Sequence, residues 1–196
     1  MKNKYIIGLF LLLAFVQIVI PLSMIAKRES VLKSGQQFKF RTEPVDPYDA
    51  FRGRYVALQV KERDVPFLRN NKLRLGQTVY AIINTDEQGY AKLASVTTNR
   101  PMSKAYVQAT VQYFQNNKAY LNLPIDRYYM EERLAPLAEE VYRKANQADK
   151  QETYVAVKIK DGFVVIEGLY VGGQRIEDAA RHLISVKPKT LEHSGF

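Results

Sequence analysis

Two aspartates, Asp46 and Asp49, stand just ahead of Arg52 and Gly53 in the run DPYDAFRG, and Tyr55 follows after Arg54. Carboxylates beside an arginine can do three kinds of work. With Glu131 or Glu132 they could act as an acid and base pair in hydrolysis. Arg52, Tyr55 and Glu131 could instead bind a partner, an arginine and an aromatic ring being common contact residues. The third reading is a locked turn. Asp46 or Asp49 accepts backbone N–H bonds and Arg52 bridges the acids. Pro44 and Pro47 keep the residues before them extended, and Gly53 permits a positive φ or a bulge where the next strand starts. On the turn reading, Arg52→Ala lowers stability.

The rest of the chemical inventory is thin. The 196 residues include no cysteine and two histidines, His182 and His193. Disulfides, thiolate metal sites and cysteine nucleophiles are thereby excluded, and a histidine triad or zinc site is poorly supplied. No cofactor is expected. The serine and lysine of SMIAK, Ser23 and Lys27, lie at the edge of an apolar run and read as its flank.

That apolar run dominates the start of the chain. Tyr5 to Ala26 carries no charge, and Lys27 and Arg28 follow it. As a helix it is about 33 Å long, enough for a bilayer core of about 30 Å. A cleaved signal peptide competes, but its apolar part is shorter and small residues precede the cut; Met24 fits that poorly. Lys2 and Lys4 favour a cytoplasmic N-terminus and an exported remainder, against near balance from Lys27 and Arg28. The expected organisation is an anchor over 1–26, a linker over 27–35 and an exported domain over 36–196. The formal charge is +9, and +7 once Lys2 and Lys4 are set aside. A basic exported surface fits anionic lipid, an anionic envelope polymer or an acidic partner, and it also serves solubility; nucleic acid is not expected.

Beyond Gly35 the pattern has period two. QQFKFRTE, RYVALQVKE, TVYAIIN, YAKLASV, AYVQATVQYF, AYLNLPI, TYVAVKIK and FVVIEGLYV all alternate and favour strands. TDEQG, QNN and KDG separate them as turns, the Asp-Gly pair being a strong hairpin signal. In RYVALQV, alternation sends Val56, Leu58 and Val60 to the core and Tyr55 to the other face. One stretch has helical spacing: Ile125 to Lys150, with Asp126 as its cap and a kink or split at Pro136. The fold class is therefore mainly β (α+β), an antiparallel domain with one helical insertion. Residues 79–96 and 153–171 share a tyrosine-led hairpin pattern, each with a strand upstream. A duplicated β unit would leave that pattern, and any two antiparallel hairpins would share it.

GRYVALQV, Gly53 to Val60, resembles the motif that names the GDYXXLXY protein family, with Tyr55 and Leu58 at two of its named positions. PVDPYDAFRG resembles the family's lead-in, RYYMEE an aromatic and glutamate element, and IEGLYVGGQRI its closing hairpin. Arg54 and Val60 depart from the signature, which puts in doubt any role that needs an acid at position 54. The resemblance implies an exported, membrane-anchored domain without an established activity, and partners among multi-spanning membrane proteins. Together these readings point to a membrane-anchored extracytoplasmic interaction module. The alternative is a carboxylate-dependent hydrolase of the cell envelope.

Overall fold

A computed structural model describes residues 2–44, 55–66, 73–147 and 151–186. The first element, α1 (Lys2–Ser34), is one long helix. Its side chains from Tyr5 to Ile25 face outward and leave the apolar surface uncovered. It is long and apolar enough to cross a membrane. The stretch expected to be a linker, 27–35, is instead the end of this helix up to Ser34, and Val31 there is buried.

Eleven strands follow among the described residues: β1 (Gln36–Pro44), β2 (Tyr55–Val60), β3 (Asp64–Pro66), β4 (Thr78–Thr85), β5 (Ala91–Thr97), β6 (Tyr106–Gln115), β7 (Lys118–Asn122), β8 (Arg127–Tyr129), β9 (Thr153–Lys160), β10 (Phe163–Val171) and β11 (Gln174–Arg175). All eight alternating segments are strands. They are joined in two antiparallel sheets, of order β11-β10-β9-β1-β2-β8 and β3-β7-β6-β4-β5. The outermost strands β3 and β5 also touch, so the second sheet curls on itself. The inward residues of both sheets form one core, with Phe40, Leu58, Val79, Val107, Leu121 and Leu169 among its members.

The sheets are two versions of one plan. If β6 to β10 are laid over β1 to β5 in order, every pairing of the five-stranded sheet reproduces one of the six-stranded sheet, where β10–β11 alone is extra. Each sheet therefore combines the first two strands of one unit with the last three of the other. The registers agree as well. Tyr55↔Tyr129, Val56↔Tyr128 and Ala57↔Arg127 correspond to Lys118↔Pro66, Ala119↔Val65 and Tyr120↔Asp64. The Leu58 amide donates to the Asp126 carbonyl at 3.1 Å, and the equivalent Leu121 amide to the Arg63 carbonyl at 2.9 Å. Both hairpins bulge at the same step, opposite Ile82/Ile83 and opposite Ala156/Val157. The hairpin pattern seen in sequence is thus matched strand by strand, with the units exchanged between sheets.

Two helices complete the domain, α2 (Ala135–Gln147) and α3 (Ile176–Val186). This corrects the single insertion from Asp126 to Lys150. Arg127 to Tyr129 complete a sheet edge on β2 rather than opening a helix, so Asp126 caps nothing. The Glu131 carbonyl accepts the Leu134 and Ala135 amides at 3.0 and 3.1 Å and starts the turn. Pro136 lies in the first turn of α2, where its missing N–H costs no intrahelical bond, so no kink results. Ala138, Tyr142 and Ala145 bury the helix against the sheet, where the Thr153 hydroxyl donates to the Thr42 carbonyl. α3 was not expected, although its buried Ile176 and Ala180 stand four apart behind an acidic first turn.

The β9–β10 turn uses Asp161 and Gly162, both with positive φ (54° and 79°), as a two-residue hairpin of this hand requires. A Cβ at Gly162 would come within 2.5 Å of the Tyr106 ring. Gly162→Ala must strain the turn and displace that ring, so it is expected to cost about 1–3 kcal/mol. Thermal melts of the full chain in detergent check this, and an unchanged melt would contradict it.

Candidate functional site

β2 carries the motif. Val56, Leu58 and Val60 point inward and are buried, Leu58 to 2 % exposure. Tyr55 points to the other face, as alternation predicts. It pairs across the sheet with Tyr129 of β8, and the two rings meet edge to face at 5.5 Å. The Arg127 guanidinium lies 5.3 Å from the centre of the Tyr55 ring and 3.5 Å from the Asp126 carboxylate. A hydrogen bond with Tyr129, then the field of Asp126, holds the Arg127 pKa above its ordinary value. Tyr129 is 65 % exposed. The result is an open patch of two aromatic rings and a permanent cation.

The equivalent edge of the other sheet shows what the fold itself requires there. At the positions of Tyr55, Arg127 and Tyr129 it has Lys118, Asp64 and Pro66, in the same register. Lys118 and Asp64 form an ion pair of 2.7 Å. One backbone geometry is thus held by two unrelated side-chain sets. Register alone does not call for the exposed aromatic pair, which marks the Tyr55–Tyr129 edge as the candidate surface.

Of the other expected site residues, Asp46, Asp49, Arg52 and Gly53 lie outside the described residues. Glu131 follows Tyr129 closely in the chain, and its side chain is exposed while its carbonyl serves the α2 turn. Arg127 and Tyr129 were missed as site residues, because RYYMEE reads as the start of a helix.

A second charged cluster, also missed, joins the two sheets. Arg41 of β1 is 16 % exposed and sits 2.8 Å from Asp86, 3.4 Å from Glu62 and 3.6 Å from Glu152. Its guanidinium lies 4.1 Å from the centre of the Tyr90 ring and also donates to Gln88. Asp86, in the β4–β5 turn, accepts the backbone amides of Gln88 and Tyr90 as well. The bond from Arg41, then the one from the Tyr90 amide, lowers the Asp86 pKa to about 2. Burial works against the Arg41 charge, but Asp86, Glu62 and Glu152 outweigh it and hold its pKa above the ordinary value. Burial, then a hydrogen bond with Glu152, pushes the Tyr90 phenol up to about 12. Every charge in this cluster faces an opposite one, so it reads as a clasp between sheets.

A family model described as GDYXXLXY protein matches residues 17–169. No curated protein and no solved structure matches the chain. The chain belongs to the GDYXXLXY family.

Proposed function

We propose that this member of the GDYXXLXY family is a membrane-anchored, extracytoplasmic interaction module, and that it meets its partner through the Tyr55–Arg127–Tyr129 patch. The observation that carries the reading is α1, an uncovered apolar helix whose last turns pack directly on the domain. The charges of Lys2 and Lys4 favour the side on which the domain would stand. The patch adds the contact surface. Aromatic residues and arginine are enriched at protein interfaces, and a cation over an aromatic ring is attracted by the negative face of its π-system.

The distance from the membrane narrows the partner. β1 starts at Gln36, next to the end of α1, and runs away from it for nine residues, about 30 Å of extended chain. β2 returns from that far end, where Tyr55 begins it. The patch therefore stands away from the bilayer and suits the exported part of another membrane protein or an envelope component.

A photoreactive aromatic residue in place of Tyr129 tests this in intact cells. The expected result is an adduct with one envelope protein or polymer. Arg127→Ala should remove the adduct without shifting the melt, and a probe at exposed Leu75 should give none. Equal labelling at both positions, or a melt that falls with Arg127→Ala, would count against the patch as a contact surface.

A further inference from the structure

We propose that the tip of the β9–β10 hairpin and the neighbouring 98–104 loop form a bilayer-contact surface, with Phe163 and Met102 entering the headgroup layer and Lys27, Arg28 and Lys104 meeting anionic lipid phosphates. This rests on reading α1 as the anchor and adds where the domain touches the same membrane.

The first argument is the level of the tip. Lys27 is the first charge after the uncharged run that ends at Ala26. Its ammonium lies 4.3 Å from the centre of the Phe163 ring. Whatever depth the end of the apolar run takes in the bilayer, Phe163 sits beside it.

The second argument is that the domain has no slack with which to lift away. The helix runs unbroken to Ser34, and the Gly35 amide donates to the Val31 carbonyl at 2.7 Å. A Cβ at Gly35 would stand 2.5 Å from that carbonyl oxygen and 3.2 Å from the Ile159 backbone, so only glycine lets helix and strand approach this closely. The Lys160 ammonium donates to the hydroxyls of Ser30 and Ser34 at 3.0 and 2.7 Å. Helix, tip and β1 therefore move as one body.

The third argument is the composition of what lies next to the tip. Arg100 donates to the Tyr106 hydroxyl at 2.6 Å and to Asp161 at 2.9 Å, which fastens the 98–104 loop to the turn. That loop has no acid, and its Met102 side chain is fully exposed. The described acids at this end are already engaged: Asp161 by Arg100, and Glu29 by Lys33 at 3.2 Å. Among the described residues no acid pairs with Lys27, Arg28 or Lys104, and exposed apolar side chains among such cations are what an anionic membrane surface attracts. The bilayer is favoured as occupant over a protein because the anchor itself brings it to this level.

The chain has no cysteine, so Met102→Cys provides a single thiol for an environment-sensitive fluorophore. The full chain is reconstituted into vesicles of phosphatidylcholine with phosphatidylglycerol, and into phosphatidylcholine alone. Some lipids carry a nitroxide quencher near the headgroup. Tyr129→Cys, on the distal patch, is the comparison. Retention of the chain in vesicles after an alkaline wash is checked first. Its loss would overturn the anchor reading and this inference with it. With the chain retained, quenching at Met102→Cys should exceed that at Tyr129→Cys by at least about twofold in the anionic vesicles, and fall in the neutral ones. Equal quenching at the two positions overturns the contact surface while the anchor stands. Equal quenching in the two lipid mixtures overturns the role of anionic phosphates.

Discussion

Arg41→Ala is expected to lower the melting temperature of the full chain by about 10 °C, from a loss of about 2–4 kcal/mol. The figure lies below that of a fully buried pair because Glu152 is half exposed and Glu62 a third. Removing the guanidinium leaves Asp86, itself only 15 % exposed, without its main partner, and it uncovers the Tyr90 ring. The β4–β5 turn also loses the strut that holds it against β1. Arg41→Lys keeps the charge and loses the fork that reaches Asp86, Glu62 and Gln88 together, so an intermediate melt is expected. The pH dependence follows from Asp86. Its folded pKa is about 2, below the ordinary carboxylate range, so its contribution is complete above about pH 4 and is lost as pH falls through about 2. In Arg41→Ala that acid sensitivity should be weaker. An Arg41→Ala melt equal to the parent's would overturn the clasp and return the cluster to candidate chemistry.

What the sequence could and could not disclose follows from range. The eight alternating strands are local patterns, and the tight turns carry their own residues, Asn116 and Asn117 as well as Asp161 and Gly162, all with positive φ. β3, β8 and β11 have two or three residues each, too few to show a period. β8 was hidden further by its charged surroundings, which imitate a helix start, and α2 begins only after it. The sheet order could not be read at all, because β1 pairs with β9 and β6 with β4 across the two units. Arg41 meets Glu62 and Asp86 from 21 and 45 residues away, so no spacing rule would find the clasp. At the motif, alternation alone sent Tyr55 outward and Leu58 inward. What Tyr55 meets there depends on a strand edge from the other unit.

That exchange between units makes a further expectation. Leu58 and Leu121 are equivalent positions on β2 and β7, both buried in the core, with exposures of 2 % and 0 %. Leu58→Ala and Leu121→Ala should each cost about 3 kcal/mol, through lost apolar burial and the cavity left behind. Each should lower the melt by about 10 °C. Only one of the two leucines belongs to the motif. If the motif leucine is there for packing, the two variants should fall together, and Leu58→Met should keep most of the stability because it conserves volume. The patch residues should behave in the opposite way, with Arg127→Ala leaving the melt in place and removing the adduct at position 129. A Leu58→Ala chain that melts like the parent while losing that adduct would place Leu58 in the contact surface instead of the core. Equal losses at Leu58 and Leu121 would instead divide the motif by face, its inward leucine packing the core between the sheets and its outward tyrosine left for a partner.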